Sequence, residues 1–353
     1  MAETQHPFRS QIITRRRFLR NTGFMLGGTL LASSGLLAGC NKHADKPIGM
    51  AVEFNAHATS TYVSTTKGWY EDEGLSFNAY DSYVTGVALA TALARGDIEV
   101  AYMCLVPAIT VFANGGIPVK IIGGTHKHGY GLAVNPEIIR SVADLEKSGV
   151  RIASVREGGA VDVVLNKTID EYQLDRAKVI ANVTRMNPPK ALMSVKSGNV
   201  DAVFLPEQWC TMTEEYGYSM LLESKDVWPD LQGSVLLVKQ GLIDESPEVV
   251  RALARTDARS LDWIKGHKDE AATILSNSLQ HASEVNLNLD PAFETAAGFE
   301  YAPEVMRRSI DRIEFSSSID TAVVQDVIDY MAALGYINSS FPAETFLDLR
   351  YSA

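Results

Sequence analysis

Arg156-Glu157-Gly158-Gly159 is the stretch of this chain whose residue types point most directly to chemistry. A Gly-Gly pair opening a helix leaves backbone N–H groups free with the positive end of the helix dipole behind them, which is the basis of an anion site. Arg156 could add a two-pronged contact to a carboxylate or sulfonate. Glu157 works against an anion, and the same residues would also serve as a plain strand-to-helix turn. His57, His126 and His128 raise the question of metal. His126 and His128 alternate along an extended segment, and no Cys or carboxylate spacing completes a tetrahedral set, so no metal ligand is predicted. No GxSxG, HExxH, phosphate-binding loop or paired Cys occurs, so the chain reads as a non-enzyme that needs no cofactor. Cys104 and Cys210 fall near predicted strand ends and read as small buried thiols.

The elements that must position these residues carry a pattern written twice. A helix at 83–95 ends on Arg95 and Gly96 before a strand at 98–102, and a helix at 187–198 ends on Lys196 and Gly198 before a strand at 202–205. In each copy a basic residue faces the negative end of the helix dipole and a glycine supplies the left-handed exit. Pro107 follows the first of these strands and Pro206 the second. Two such half-units predict two similar α/β lobes with a ligand cleft between them. In the first lobe, strands at 48–54, 75–80, 98–102 and 119–123 alternate with helices at 61–72, 83–95 and 107–114. That alternation predicts a mostly parallel sheet, whose site lies beyond the carboxyl ends of its strands. The second lobe has strands at 131–134, 151–154, 179–184 and 202–205, with helices at 160–172 and 187–198. Asn187 caps the latter helix, and Pro188 sits where a missing N–H costs nothing. A strand at 234–238 returns to the first lobe, and from 246 the pattern is helical. The lobe crossings are expected at 125–129 and 224–232.

Residues 1–39 stand apart. Arg15, Arg16 and Arg17 precede an apolar run softened by glycines and serines, too short for the roughly 20 residues that span a bilayer. The run ends at Leu37-Ala38-Gly39-Cys40. The segment carries five arginines against one glutamate, so its removal takes the net charge from −11 to −15. Such an acidic chain lacks the basic face that nucleic acid requires.

The arginines with Phe18-Leu19 resemble a Tat signal, and Leu37-Ala38-Gly39-Cys40 is similar to a bacterial lipobox. That resemblance implies export and lipid attachment at Cys40, on the periplasmic or extracellular face of a membrane, since two or more chains anchor stably. Thr66-Lys67-Gly68-Trp69-Tyr70-Glu71-Asp72-Glu73-Gly74, the two helix-Gly-strand repeats, Ser141-Val142-Ala143-Asp144-Leu145 and Pro206-Glu207-Gln208-Trp209 carry a second resemblance. It runs from about residue 48 to 275 and is to the type II solute-binding proteins of ABC importers, in the nitrate, sulfonate, taurine and bicarbonate branch. It implies a two-lobed periplasmic-binding-protein fold: 1–39 signal, 40–47 linker, 48–127 and 228–353 lobe I, 128–227 lobe II. It also implies a monomer that closes on one small solute, with a permease and an ATPase as partners. The family's ligand loops fall on Asn55, His57, Thr59, Cys104, Arg156, Gly158, Gly159, Asn187, Glu207 and Trp209. A small anion is expected there. A neutral heterocycle such as a thiamine or pyrimidine precursor, or a sensing lipoprotein, is the alternative.

Overall fold

The computed structural model of the protein describes residues 48–96, 98–286 and 291–351. The Tat, lipobox and Cys40 readings lie outside them. The described strands form two sheets. The first holds β1 (Ile48–Glu53), β2 (Phe77–Tyr83), β3 (Val100–Cys104), β4 (Val119–His128), β10 (Gln232–Lys239) and β11 (Ile313–Phe315), in the order β11-β4-β10-β3-β1-β2. The second holds β5 (Tyr130–Val134), β6 (Ile152–Ser154), β7 (Val183–Arg185), β8 (Ala202–Pro206) and β9 (Ser219–Glu223), in the order β7-β6-β8-β5-β9.

Each sheet is built around three parallel strands. β1 pairs in parallel with β2 and β3, and β6 with β7 and β8. The strands that carry the chain between lobes run antiparallel: β10 against β3 and β4, β5 against β8 and β9. Every residue of β1, β3 and β8 is buried, as expected of strands covered by helices on both faces. The backbone passes from first sheet to second at residues 128–130 and returns at 223–232. At the first passage Gly129 has φ 90°, and a Cβ there would lie 2.7 Å from His57 Nε2, so neither its conformation nor its surroundings admit a side chain.

Several local expectations shift. The first crossing, expected at 125–129, comes only after His128, because residues 126–128 pair with β11 and stay in the first sheet. The strand expected at 98–102 is Val100–Cys104, and the helix expected at 83–95 starts at Gly86 because Tyr83 belongs to β2. The helix expected at 61–72 is two, Thr59–Lys67 and Trp69–Asp72, divided at Gly68 with φ 71°. The following strand starts at Phe77 rather than 75, because the Leu75 N–H donates back to Tyr70 O at 2.9 Å and closes the preceding helix. Residues 179–181 belong to the helix Arg176–Ala181, where Asp175 accepts from the amides of Ala177 and Lys178, and the strand is confined to Val183–Arg185.

The C-terminal helices, generic in sequence, brace the second sheet's helices. From the helix Pro303–Asp311 and the residue after it, Arg308 Nε reaches Glu214 Oε2 at 3.2 Å and Arg312 Nη2 reaches Glu214 Oε1 at 2.7 Å. Further on, the Tyr330 hydroxyl donates to Asp170 Oδ2 at 2.5 Å, and the Tyr336 hydroxyl donates to the fully buried Asp162.

Candidate functional site

A cavity of about 50 Å³ lies where the carboxyl ends of the two parallel cores face each other. The first sheet contributes Glu53 and Cys104, the last residues of adjacent strands β1 and β3, with Asn55 just beyond. The second contributes Pro206 at the end of β8 and Val155 after β6, and Tyr130 stands at the crossing. The first residues of two helices complete the wall: Gly86 and Val87 of Gly86–Arg95, and Ala160 and Val161 of Ala160–Glu171. Two positive dipole ends therefore converge on one space. Outside it lies a groove of about 440 Å³ between Val87, Ala90 and Thr110 on one side and Gly158 and Tyr336 on the other. Arg156 lines both spaces and is exposed, which places it at the cavity mouth.

The inner corner is polar. Glu53 is 2% exposed; its Oε1 accepts from the Cys104 N–H at 2.9 Å, and its Oε2 accepts from the Asn55 Nδ2 at 3.2 Å and the Cys104 thiol at 2.8 Å. Burial alone would push the Glu53 carboxyl up, but His57 beside it and the Cys104 donors outweigh that and hold it below the ordinary carboxylate value. Burial and the neighbouring Glu53 push the Cys104 thiol well up. His57 Nε2 lies 2.6 Å from Gly129 O; a carbonyl only accepts, so this nitrogen is a donor whether or not the ring is charged. His57 Nδ1 then faces Cys104 Sγ at 3.6 Å and Glu53 Oε2 at 3.8 Å. One carboxylate, one imidazole and one thiol thus meet within 4.8 Å of one another, a donor set able to hold a cation. The same His57 ties the end of β1 to the first crossing, and the Tyr130 hydroxyl ties that crossing to the returning strand through Gly233 O at 3.0 Å.

Of the residues expected from sequence, Asn55, Cys104, Arg156 and Gly159 line the inner cavity and Gly158 lines the outer groove. The expected anion grip takes another form, because the Gly158 amide donates to Asp162 Oδ2 at 3.1 Å and the Gly159 amide to Arg156 O at 3.2 Å. His57 lies behind the cavity wall. Thr59 is fully buried and its hydroxyl donates to Ala56 O at 2.6 Å, a turn contact. Asn187 caps its helix by accepting from the Lys190 amide at 3.0 Å, and Pro188 takes the place in the wall.

Glu207 and Trp209 are buried in the core and do not line the cavity. The Thr211 and Ser309 hydroxyls donate to Glu207, whose carboxyl burial pushes up to about 7. Trp209 is fully buried and packs on Phe54 and Tyr301, each with ring centroids 6.2 Å away. Among the described residues the free thiols Cys104 and Cys210 are both buried, and of the two Cys104 lines the cavity. Glu53, Thr85, Gly86 and Tyr130 were not singled out from sequence. Glu53 had one legible signal, a lone charge at the carboxyl end of an otherwise apolar strand.

Two sheets of this topology, joined by crossing strands and facing each other across a cavity at their strand ends, define a two-lobed binding-protein fold. The solved structures agree. The alkanesulfonate-binding protein SsuA from Xanthomonas axonopodis pv. citri, bound to MOPS, is similar with a TM-score of 0.69 at 15% identity, over 86% of this chain and 98% of its own. The periplasmic aliphatic sulphonate-binding protein SsuA from Escherichia coli gives 0.67 at 14%, over 85% and 97%. The periplasmic nitrate-binding protein NrtA from Synechocystis PCC 6803 gives 0.67 at 16%, over 86% of each chain. No curated protein matches. The NMT1-like family model matches residues 41–278, and the chain belongs to that family. Among the described residues no helix is long and apolar enough to cross a membrane.

Proposed function

We propose that this chain is the solute-binding subunit of an ABC importer, anchored through a lipid on Cys40, which captures one small solute between its sheets and delivers it to a permease. The carrying observation is the cavity itself, walled by the strand ends of both sheets and the first turns of two helices. The sulfonate- and nitrate-binding names of its structural neighbours support the same reading.

The polarity of the wall narrows the solute. The helix N-termini and Arg156 favour an anionic oxygen group, whereas the Glu53 carboxylate at the inner corner repels one and favours an N–H or positively charged end. A bare oxyanion satisfies only half of that wall. The preferred solute therefore carries both an anionic oxygen group and an N–H donor, as aminosulfonates and amino-carboxylates do. The neutral heterocycle keeps a place because a ring N–H also suits Glu53. A thermal-shift panel of oxyanions, alkanesulfonates, aminosulfonates, amino acids and N–H heterocycles tests this. A ligand at 100 times its Kd should stabilise by about 2.7 kcal/mol. Stabilisation by nitrate or simple sulfonates alone would overturn the polarity argument, and silence across all classes would count against solute capture.

A further inference from the structure

We propose that Glu53, His57 and Cys104 form a binding site for a borderline-soft divalent cation of the Zn²⁺ type, with its fourth coordination position opening on the cavity. The proposal deepens the reading above, in that the positive group facing Glu53 would be a metal ion, and it rests on the cavity being the ligand site only for that fourth position.

Geometry comes first. Tetrahedral zinc, with bonds of about 2.3 Å to sulfur and 2.0–2.1 Å to nitrogen and oxygen, needs ligand-to-ligand edges of roughly 3.3 to 3.6 Å. Sγ to Nδ1 is 3.6 Å and Nδ1 to Oε2 is 3.8 Å. The third edge, Sγ to Oε2, is 2.8 Å because a thiol proton bridges those atoms. When the ion replaces that proton, which leaves to solvent, the edge opens by less than about 1 Å. The supporting contacts are in place. His57 donates its other ring N–H to Gly129 O, the arrangement that aims a ligating imidazole, and Glu53 Oε1 is held by the Cys104 amide. The Asn55 side-chain amide on Oε2 can stay as an outer partner, Tyr130 and Ser234 lie beside the Cys104 sulfur, and the His126 ring packs on His57 with centroids 4.3 Å apart.

Charge and donor type agree with the geometry. A thiolate and a carboxylate balance a divalent ion, so a corner in which the three residues are 2%, 3% and 5% exposed goes from one buried negative charge to none when the ion replaces the thiol proton. Sulfur with nitrogen selects zinc-like ions over magnesium and calcium, which require oxygen. A nucleophilic role for Cys104 fits less well, because a carboxylate 2.8 Å from sulfur opposes a free thiolate.

The experiment uses metal-free full-length protein. Equilibrium dialysis with Zn²⁺ should give one equivalent bound, undisturbed by excess Mg²⁺, and Co²⁺ substitution should show thiolate-to-cobalt charge transfer with tetrahedral d–d bands. Cys104→Ser and His57→Gln should each lose more than the roughly 10–100-fold that removal of an outer-shell partner costs. Cys210→Ser, which removes a buried thiol in the helix Glu207–Thr213, should bind as wild type. Far-UV circular dichroism establishes which variants fold, and the wild-type cobalt spectrum decides even if neither ligand variant does. Wild type without a thiolate–cobalt band, or Cys104→Ser binding Zn²⁺ as wild type, overturns the proposal. If metal fails while solutes still shift the melting curve, only the metal site falls. If metal binds and no solute shifts the curve, it is the importer reading that falls.

Discussion

Gly86→Ala adds one methyl group at the point where the site has least room. A Cβ on Gly86 would lie 2.5 Å from Glu53 Oε1 and 2.6 Å from Pro107 Cγ, against the roughly 3.5–4.0 Å of comfortable carbon contacts. Pro107 is fixed in the first turn of the helix Leu105–Ala113, so Glu53 must yield. Its Oε1 is held by the Cys104 amide at 2.9 Å, and giving up a hydrogen bond to a charged group costs about 1.5–3 kcal/mol. Overpacking of this kind lowers stability by about 1–3 kcal/mol. Because the displaced carboxylate lines the inner corner, solute affinity should fall about 10- to 100-fold, at about 1.4 kcal/mol per decade. The assay is calorimetric titration with whichever solute gives the largest thermal shift, run beside Gly241→Ala. Gly241 sits in the helix Gln240–Glu245, where an added Cβ would meet nothing within 4 Å, so this control should bind as wild type. A folded Gly86→Ala protein with wild-type affinity would remove Glu53 from the site.

Three other outcomes are expected. Arg156→Ala should weaken solute binding by up to about 1 kcal/mol, less than Gly86→Ala, because Arg156 is exposed at the mouth; Lys127→Ala, which breaks only the 3.6 Å pair with Asp230, should leave calorimetric affinity unchanged. An anion-centred site would invert the order of Gly86 and Arg156. Cys40→Ala should move the protein from the membrane to the soluble fraction, and a variant that still pellets with membranes would refute the lipid anchor. Asp257, in the helix Pro247–Gly266, has its carboxyl pushed up to about 7 by burial, so the folded chain keeps a proton that the unfolded chain releases near pH 4. That contribution is complete below about pH 4 and lost as pH rises to about 7, so Asp257→Asn should match wild type at pH 4 and exceed it at pH 8 by on the order of 4 kcal/mol in urea melts. Equal stability at both values would show that the carboxyl ionises without penalty.

The fold was legible in the sequence because its signals are local and repeated. Gly96 caps its helix in left-handed backbone, as the punctuation predicts, and β3 follows; Pro188 opens a helix that leads to β8. Of the residues that line the candidate cavity, the sequence pointed to Asn55, Cys104, Arg156 and Gly159, which stand at strand ends or in the turns that follow them. Glu207 and Trp209 misled because the helix Glu207–Thr213 turns them toward the C-terminal helices, and packing between segments about 100 residues apart leaves no mark in local spacing. The Glu53–His57–Cys104 cluster was hidden for a related reason. Cys104 reaches Glu53 only because β1 and β3 are neighbours in the sheet, 51 residues apart in sequence, and no motif spacing anticipates that pairing.

A solute-binding subunit of this build is expected to close its two sheets about the solute by bending at the crossings 128–130 and 223–232. Small-angle scattering of the protein with and without saturating solute tests it most directly. Hinge closure predicts a smaller radius of gyration in the bound form. An unchanged radius, with binding confirmed by calorimetry in the same sample, would contradict it and describe a rigid pocket instead.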